Sequence, residues 1–173
     1  MALRDQSSSN TCRLVITGAS SGLGLALARH YLEQGAVVGA CARRGDLLHA
    51  LAADFPCQVS CYQVDVCDTV AMQDAANDFI ERFGCPGIVI ANAGVSAGTL
   101  TEYSEDVEVF QQVIDINVMG IVKSFQPFIE PMRVAQAGTL VGIASVAGFR
   151  GLPGAGHILP PRPQQPPIWN HCE

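Results

Sequence analysis

The sequence predicts a doubly wound α/β fold built on a parallel sheet of about five strands, with helices on both faces. Three observations carry that prediction. Short apolar runs alternate along the chain with stretches of helical spacing, the pattern of successive right-handed βαβ units. A glycine-rich turn follows the first run directly. The fourth run, Pro86 to Ala91, is almost wholly apolar, which suits a parallel strand covered on both sides.

Taken in order, Arg13-Leu14-Val15-Ile16-Thr17 is a buried strand. Residues 22–34 form a helix that ends at Gly35, a residue suited to a C-cap. Residues 36–41 are a second strand, 46–54 a second helix and 59–66 a third strand. Asp68 caps a helix whose Met72, Ala75, Ala76, Phe79, Ile80 and Phe83 recur at helical spacing. Residues 107–134 read as one long helical region interrupted by Pro127 and Pro131, and 139–144 as the fifth strand. No internal repeat is apparent.

Bulk properties narrow the function classes. A chain of 173 residues with 49% apolar content is one globular domain, and a net charge of −6 argues against a nucleic-acid backbone as partner. Residues 1–10 are polar and lack the apolar core of a signal peptide. The apolar stretch 138–149 falls short of the roughly 20 residues a bilayer needs, so a soluble cytoplasmic protein is expected, with no membrane partner. Seven cysteines without a CxxC pair or zinc-like spacing read as reduced, mostly buried thiols, and no metal site is expected. The four histidines carry no chemistry in this reading.

The strand–turn–helix setting of Gly18, Gly22 and Gly24 is a dinucleotide-binding turn. Glycines let the backbone approach a pyrophosphate, and the helix N-terminus offers free N–H groups and the positive end of its dipole. Cofactor choice follows from charge. An NAD site of this kind ends its second strand with an acid for the ribose 2′-hydroxyl. Here the strand ends Cys41-Ala42-Arg43-Arg44, and Arg43 suits bidentate pairing with a 2′-phosphate, so NADP(H) is expected over NAD(H).

The run Thr17-Gly18-Ala19-Ser20-Ser21-Gly22-Leu23-Gly24, followed by Asn92-Ala93-Gly94 and then Ser145, resembles the short-chain dehydrogenase/reductase family over about residues 14–156. The resemblance implies a Rossmann fold and an NAD(P)-dependent oxidoreductase of alcohol/carbonyl substrates. It places Gly18, Ser20, Ser21, Gly22, Leu23 and Gly24 at the cofactor, Asp65 and Val66 beside the adenine, and Asn92, Ala93 and Gly94 along the adenine ribose. It makes Ser145 the group that hydrogen-bonds the substrate oxygen. Asn117 would distort its helix and hold a water in a proton relay. The long helical region commonly forms the family's homo-oligomer interface.

The family also expects Tyr-x-x-x-Lys, the tyrosine thirteen residues after this serine; those positions hold Ile158 and Arg162. An isoleucine cannot exchange a proton, and a tyrosine of ordinary pKa near 10 needs the lysine ammonium to work near neutrality. Tyr31, Tyr62 and Tyr103 lie in other elements. The genetic code offers an account. One possible choice of synonymous codons for residues 156–162 is GGG CAT ATT CTG CCT CCA AGG; one G restored before the histidine codon gives Gly-Ala-Tyr-Ser-Ala-Ser-Lys, with tyrosine and lysine in family register. Residues 1–156 are then an incomplete nucleotide-binding domain and 157–173 a proline-rich, out-of-frame, disordered tail. The alternative makes Pro160–Pro167 a polyproline II docking segment. With the family's C-terminal elements missing, the fifth strand becomes an open edge. Two functions follow: an NADP(H)-dependent oxidoreductase by lineage, or a nucleotide-binding fragment without turnover.

Overall fold

The structure, a computed structural model, describes residues 11–98 and 103–145. The proline-rich tail and the positions of Ile158 and Arg162 lie outside the described residues. The elements run β1 (Arg13–Thr17), α1 (Gly22–Glu33), β2 (Val37–Ala42), α2 (Gly45–Asp54), β3 (Val59–Gln63), α3 (Thr69–Phe83), β4 (Ile88–Ala91), α4 (Asp106–Ile114), a π-helical turn (Asp115–Met119), α5 (Gly120–Ala135) and β5 (Thr139–Gly142). The five strands are parallel in the order β3-β2-β1-β4-β5. This is the doubly wound sheet that the alternation of runs predicts.

Strand periodicity sorts the core into two layers. Leu14 and Ile16 of β1 and Val38 and Ala40 of β2 face Ala28 and Leu32 of α1 and Leu48 and Leu51 of α2. Val15, Cys41 and Val89 point the other way, against Ala76 and Phe79 of α3 and Phe128 and Met132 of α5. Successive strand residues alternate faces, so one apolar run supplies both layers. Gly39 makes the second layer possible: a Cβ there would lie 2.8 Å from the Phe79 ring. Polar ties fix the ends of elements. Asp68 Oδ1 accepts the Val70 and Ala71 N–H groups, both at 3.0 Å, and so caps α3 as expected. Gln58 Nε2 donates to the carbonyls of Leu32 and Ala36 at the end of α1.

Two expectations are corrected. Pro127 and Pro131 do not interrupt the long helix; both lie inside α5, although each removes an i→i−4 donor. Burial of Phe128 and Met132 beneath the sheet holds the helix together across the lost bonds, so tertiary packing overrides local preference. The third strand ends at Gln63 rather than 66, because Asp65 Oδ1 accepts the Cys67 N–H at 2.9 Å and turns the chain. Of the described cysteines, Cys41 is buried while Cys12 and Cys57 are exposed. Among the described residues no helix is long and apolar enough to cross a membrane, and no group of three or more metal-ligating side chains occurs.

Truncating Phe79, fully buried between sheet and α3, should cost about 3–5 kcal/mol in urea unfolding of Phe79→Ala. Burial pushes the Cys41 thiol up to about 12. Its thiolate is therefore scarce at pH 8, and a thiol-titrating reagent should label Cys12 and Cys57 quickly but Cys41 only on unfolding.

Candidate functional site

The strand order reverses at β1, which has β2 on one side and β4 on the other. A parallel sheet opens a crevice at the carboxyl ends of its strands at such a point. Here a cleft of about 360 Å³ is lined by the glycine turn (Gly18, Ser20, Ser21, Leu23), the end of β2 (Ala42, Arg43, Arg44), the loop after β3 (Val64, Asp65, Val66) and the loop after β4 (Asn92, Ala93, Gly94, Val95).

Buried polar contacts hold the walls. Thr17, at 1% exposure, has a hydroxyl that accepts the N–H groups of Asn92 at 3.1 Å and Ala93 at 3.2 Å. Asn92 answers through Nδ2, which donates to the Thr17 carbonyl at 3.0 Å and the Gly18 carbonyl at 3.4 Å. This closeness dictates glycine: a Cβ on Gly18 would fall 2.8 Å from Asn92 Nδ2, and Gly18 has φ +70°. A Cβ on Gly24 would lie 2.4 Å from the Gly18 carbonyl oxygen. Gly22 differs, since it has φ +56° with open space above it.

The turn is built for an anion. Ser21 is the N-cap of α1 yet caps no amide with its side chain, and the first turn of the helix holds no acid. Arg44 Nη2 instead donates to Ser21 Oγ at 2.6 Å and Ser20 Oγ at 3.0 Å, so a guanidinium stands over the turn. Arg43 lines the same cleft and, among the described residues, has no hydrogen-bond or ion-pair partner. In the neighbouring loop after β3, Asp65 is the one acid among the described residues that line the cleft. Open space at Gly22, a helix start without a side-chain cap and two arginines suit the phosphates of a dinucleotide. Val66 is 7% exposed and sits on α5, where a Cβ on Gly120 would be 2.8 Å from its Cγ2. Burial, then the Asp65 carboxylate beside it, push the Cys67 thiol up.

A second cleft of about 800 Å³ shares Asn92, Ala93, Gly94 and Val95 with the first and continues to Ser96, Asn117 and Ser145. Asn117 lies in the π-helical turn, so the helix does distort at this residue. Its Nδ2 donates to the Val95 carbonyl and its Oδ1 accepts the Val95 N–H, both at 2.8 Å. Gly94 makes room: a Cβ there would lie 3.3 Å from Asn117 Oδ1. Ser145 is exposed at the end of the described chain, after β5. Asn117 and Ser145 thus share one cleft, side by side with the glycine turn, across a common wall of residues 92–95.

None of the described tyrosines lines either cleft. Tyr62 donates to Asp78 at 2.7 Å, and burial together with that carboxylate pushes its pKa up, away from use near neutrality. Sequence reasoning missed the parts played by Thr17 and Arg44. A hydroxyl ending an apolar strand needs a buried partner, and that was the available signal for Thr17. The adjacent Arg43 masked Arg44.

The family model for short chain dehydrogenase matches residues 13–157. A 2-dehydro-3-deoxy-L-rhamnonate dehydrogenase (NAD(+)) of Sphingomonas sp. is 33% identical over 141 residues, which are 82% of this chain and 56% of that protein. An NADPH-dependent pterin aldehyde reductase of Arabidopsis thaliana is 31% identical over 80% of this chain and 58% of its own length. Among solved structures, a short-chain dehydrogenase from Streptomyces avermitilis superposes with a TM-score of 0.81 at 27% identity, covering 87% of this chain and 55% of that one. An alcohol dehydrogenase from Thermococcus sibiricus complexed with 5-hydroxy-NADP gives 0.76 at 28% identity, over 86% and 64%. The chain spans a little over half the length of the curated relatives it matches. A match running from the first strand through the glycine turn, the Asn92 wall and Ser145 leaves one assignment: this chain belongs to the short-chain dehydrogenase family.

Proposed function

We propose that this chain carries the NADP(H)-binding half of an oxidoreductase that moves a hydride between nicotinamide and an alcohol or carbonyl compound. The observation that carries the NADP(H) preference is Arg44 fixed over Ser20 and Ser21 beside Arg43, with no acid at the end of β2. Two guanidinium groups and two hydroxyls suit a dianionic 2′-phosphate, whereas a free 2′-hydroxyl offers them no charge. Arg44 therefore joins Arg43 in the role that the sequence gives to Arg43 alone. Relatives of both preferences occur, an NAD(+) dehydrogenase and an NADPH-dependent reductase, so the charge of this site and not family membership supports the choice.

When bound, the nicotinamide supplies or accepts the hydride. The chain's own residues do the rest. The turn Gly18–Gly24 and the first amides of α1 receive the pyrophosphate, Asp65 and Val66 border the adenine, and Asn92–Gly94 flank the ribose. Ser145 donates a hydrogen bond to the substrate oxygen, where charge develops. Asn117, tied to Val95, keeps the helix distorted beneath the shared wall and orders a relay water.

Proton exchange needs the tyrosine and lysine, and Ile158 and Arg162 cannot supply it. We assign residues 157–173 to a shifted reading frame; the family match, ending at His157, supports that assignment. As written, the chain binds the nucleotide and does not turn over. With the frame restored it is an active, homo-oligomeric, cytoplasmic enzyme.

Arg44→Ala should weaken NADPH binding by about 10–100-fold and leave NADH binding within about threefold, read by fluorescence titration. Equal losses for both nucleotides would contradict the 2′-phosphate role. The 173-residue chain should oxidise NADPH with carbonyl compounds at least about 10²–10⁴-fold more slowly than the frame-restored protein. Accurate resequencing of the codons for Gly151–Glu173 should reveal one further base in a run of G; an unbroken present frame would remove the frameshift.

A further inference from the structure

We infer that Lys123 is a positioning residue for the adenine end of the cleft, acting through the loop that carries Asp65 and Val66. The inference rests on the nucleotide reading above. Lys123 is the only lysine in the chain. It is half-buried, and its Nζ donates to the Cys67 carbonyl at 2.7 Å, across 56 residues of sequence. It is not among the residues lining the cleft, so any effect on the nucleotide passes through the loop.

Most bonds around this loop are local. Asp65 Oδ1 accepts the Cys67 N–H, the Asp65 carbonyl accepts the Asp68 N–H at 2.9 Å, and Asp68 caps α3. Local bonds set the shape of a turn but not its place relative to the glycine turn and Arg44. Placement comes from outside: Val64 N–H to the Ala42 carbonyl at 3.1 Å on one side, and α5 on the other. On α5, Gly120 seats Val66, and Lys123, three residues on and hence on the same helix face, grips Cys67. A charged donor on a partly buried carbonyl is stronger than a neutral one, and immobilising a long side chain costs rotamer freedom that the contact must outweigh. The result is a two-point mount that holds Asp65 and Val66 against the cleft.

Adenosine 2′,5′-bisphosphate, which lacks the nicotinamide half, and NADPH are titrated into the full chain and its Lys123→Met and Lys123→Arg forms, with thermal midpoints measured alongside. Lys123→Met should bind both ligands about tenfold more weakly, and Lys123→Arg, which keeps a charged donor, within about threefold of the parent. Parent-like affinity in a folded Lys123→Met protein overturns the inference. Should that form not fold, amine modification of the parent gives the answer. A ligand favoured by the mounted loop shifts Lys123 toward its Cys67-bonded form, and the amine reacts only when released, so bound adenosine bisphosphate should slow modification of Lys123 several-fold; an unchanged rate overturns the inference. If the parent binds neither ligand, the nucleotide reading itself fails. Binding by the parent with no effect at Lys123 removes only the inference.

Discussion

The site depends on the tie between Thr17 and Asn92. β1 and β4 are neighbours in the sheet, but their ladder ends before the loops that leave them. Beyond it, the Thr17 hydroxyl takes two backbone donors of the Asn92 loop, and the Asn92 carboxamide returns to the carbonyls of Thr17 and Gly18. Each of these groups is wholly or partly buried, where an unmet donor costs about 1–3 kcal/mol. The tie brings two loops so close that Gly18 and Gly24 have no room for a side chain. That crowding puts bare backbone at Gly18 and Gly24 beside the crevice, at the start of α1.

From this wall the rest of the geometry follows. Residues 92–95 border both clefts, and Val95 is the backbone segment that Asn117 grips. A movement of the Asn92 loop would thus be felt at the glycine turn on one side and at the π-helical turn on the other. The helix α5 supports the same arrangement from below, through Gly120 under Val66 and Lys123 on Cys67. The charged side chains of the cleft lining, Arg43, Arg44 and Asp65, come from the loops after the neighbouring strands β2 and β3.

The fold was legible because each strand carries its own two-sided burial: Leu14 and Ile16 serve one layer and Val15 the other. The glycine turn was legible because only glycine tolerates the contacts at Gly18 and Gly24. Pro127 and Pro131 were misread, since local chemistry breaks a helix where burial of Phe128 and Met132 preserves it. The end of β3 was misread for a related reason: Val64 and Val66 suit a strand, yet the Asp65 side chain turns the backbone. Long-range polar ties such as Thr17 to Asn92, or Lys123 to Cys67, leave no periodic trace in a sequence. Arg44 over Ser20 and Ser21 belongs with them, because spacing does not tell which of two adjacent arginines folds back.

On the proposed reading, the five described strands suffice to hold the nucleotide. Amide hydrogen exchange of the 173-residue chain with and without NADP+ tests it most directly. Slowed exchange is expected, confined to residues 18–24, 43–45, 65–67 and 92–95, the segments proposed to meet or border the ligand. Exchange unchanged in those segments at saturating NADP+, in a chain otherwise folded, would contradict it.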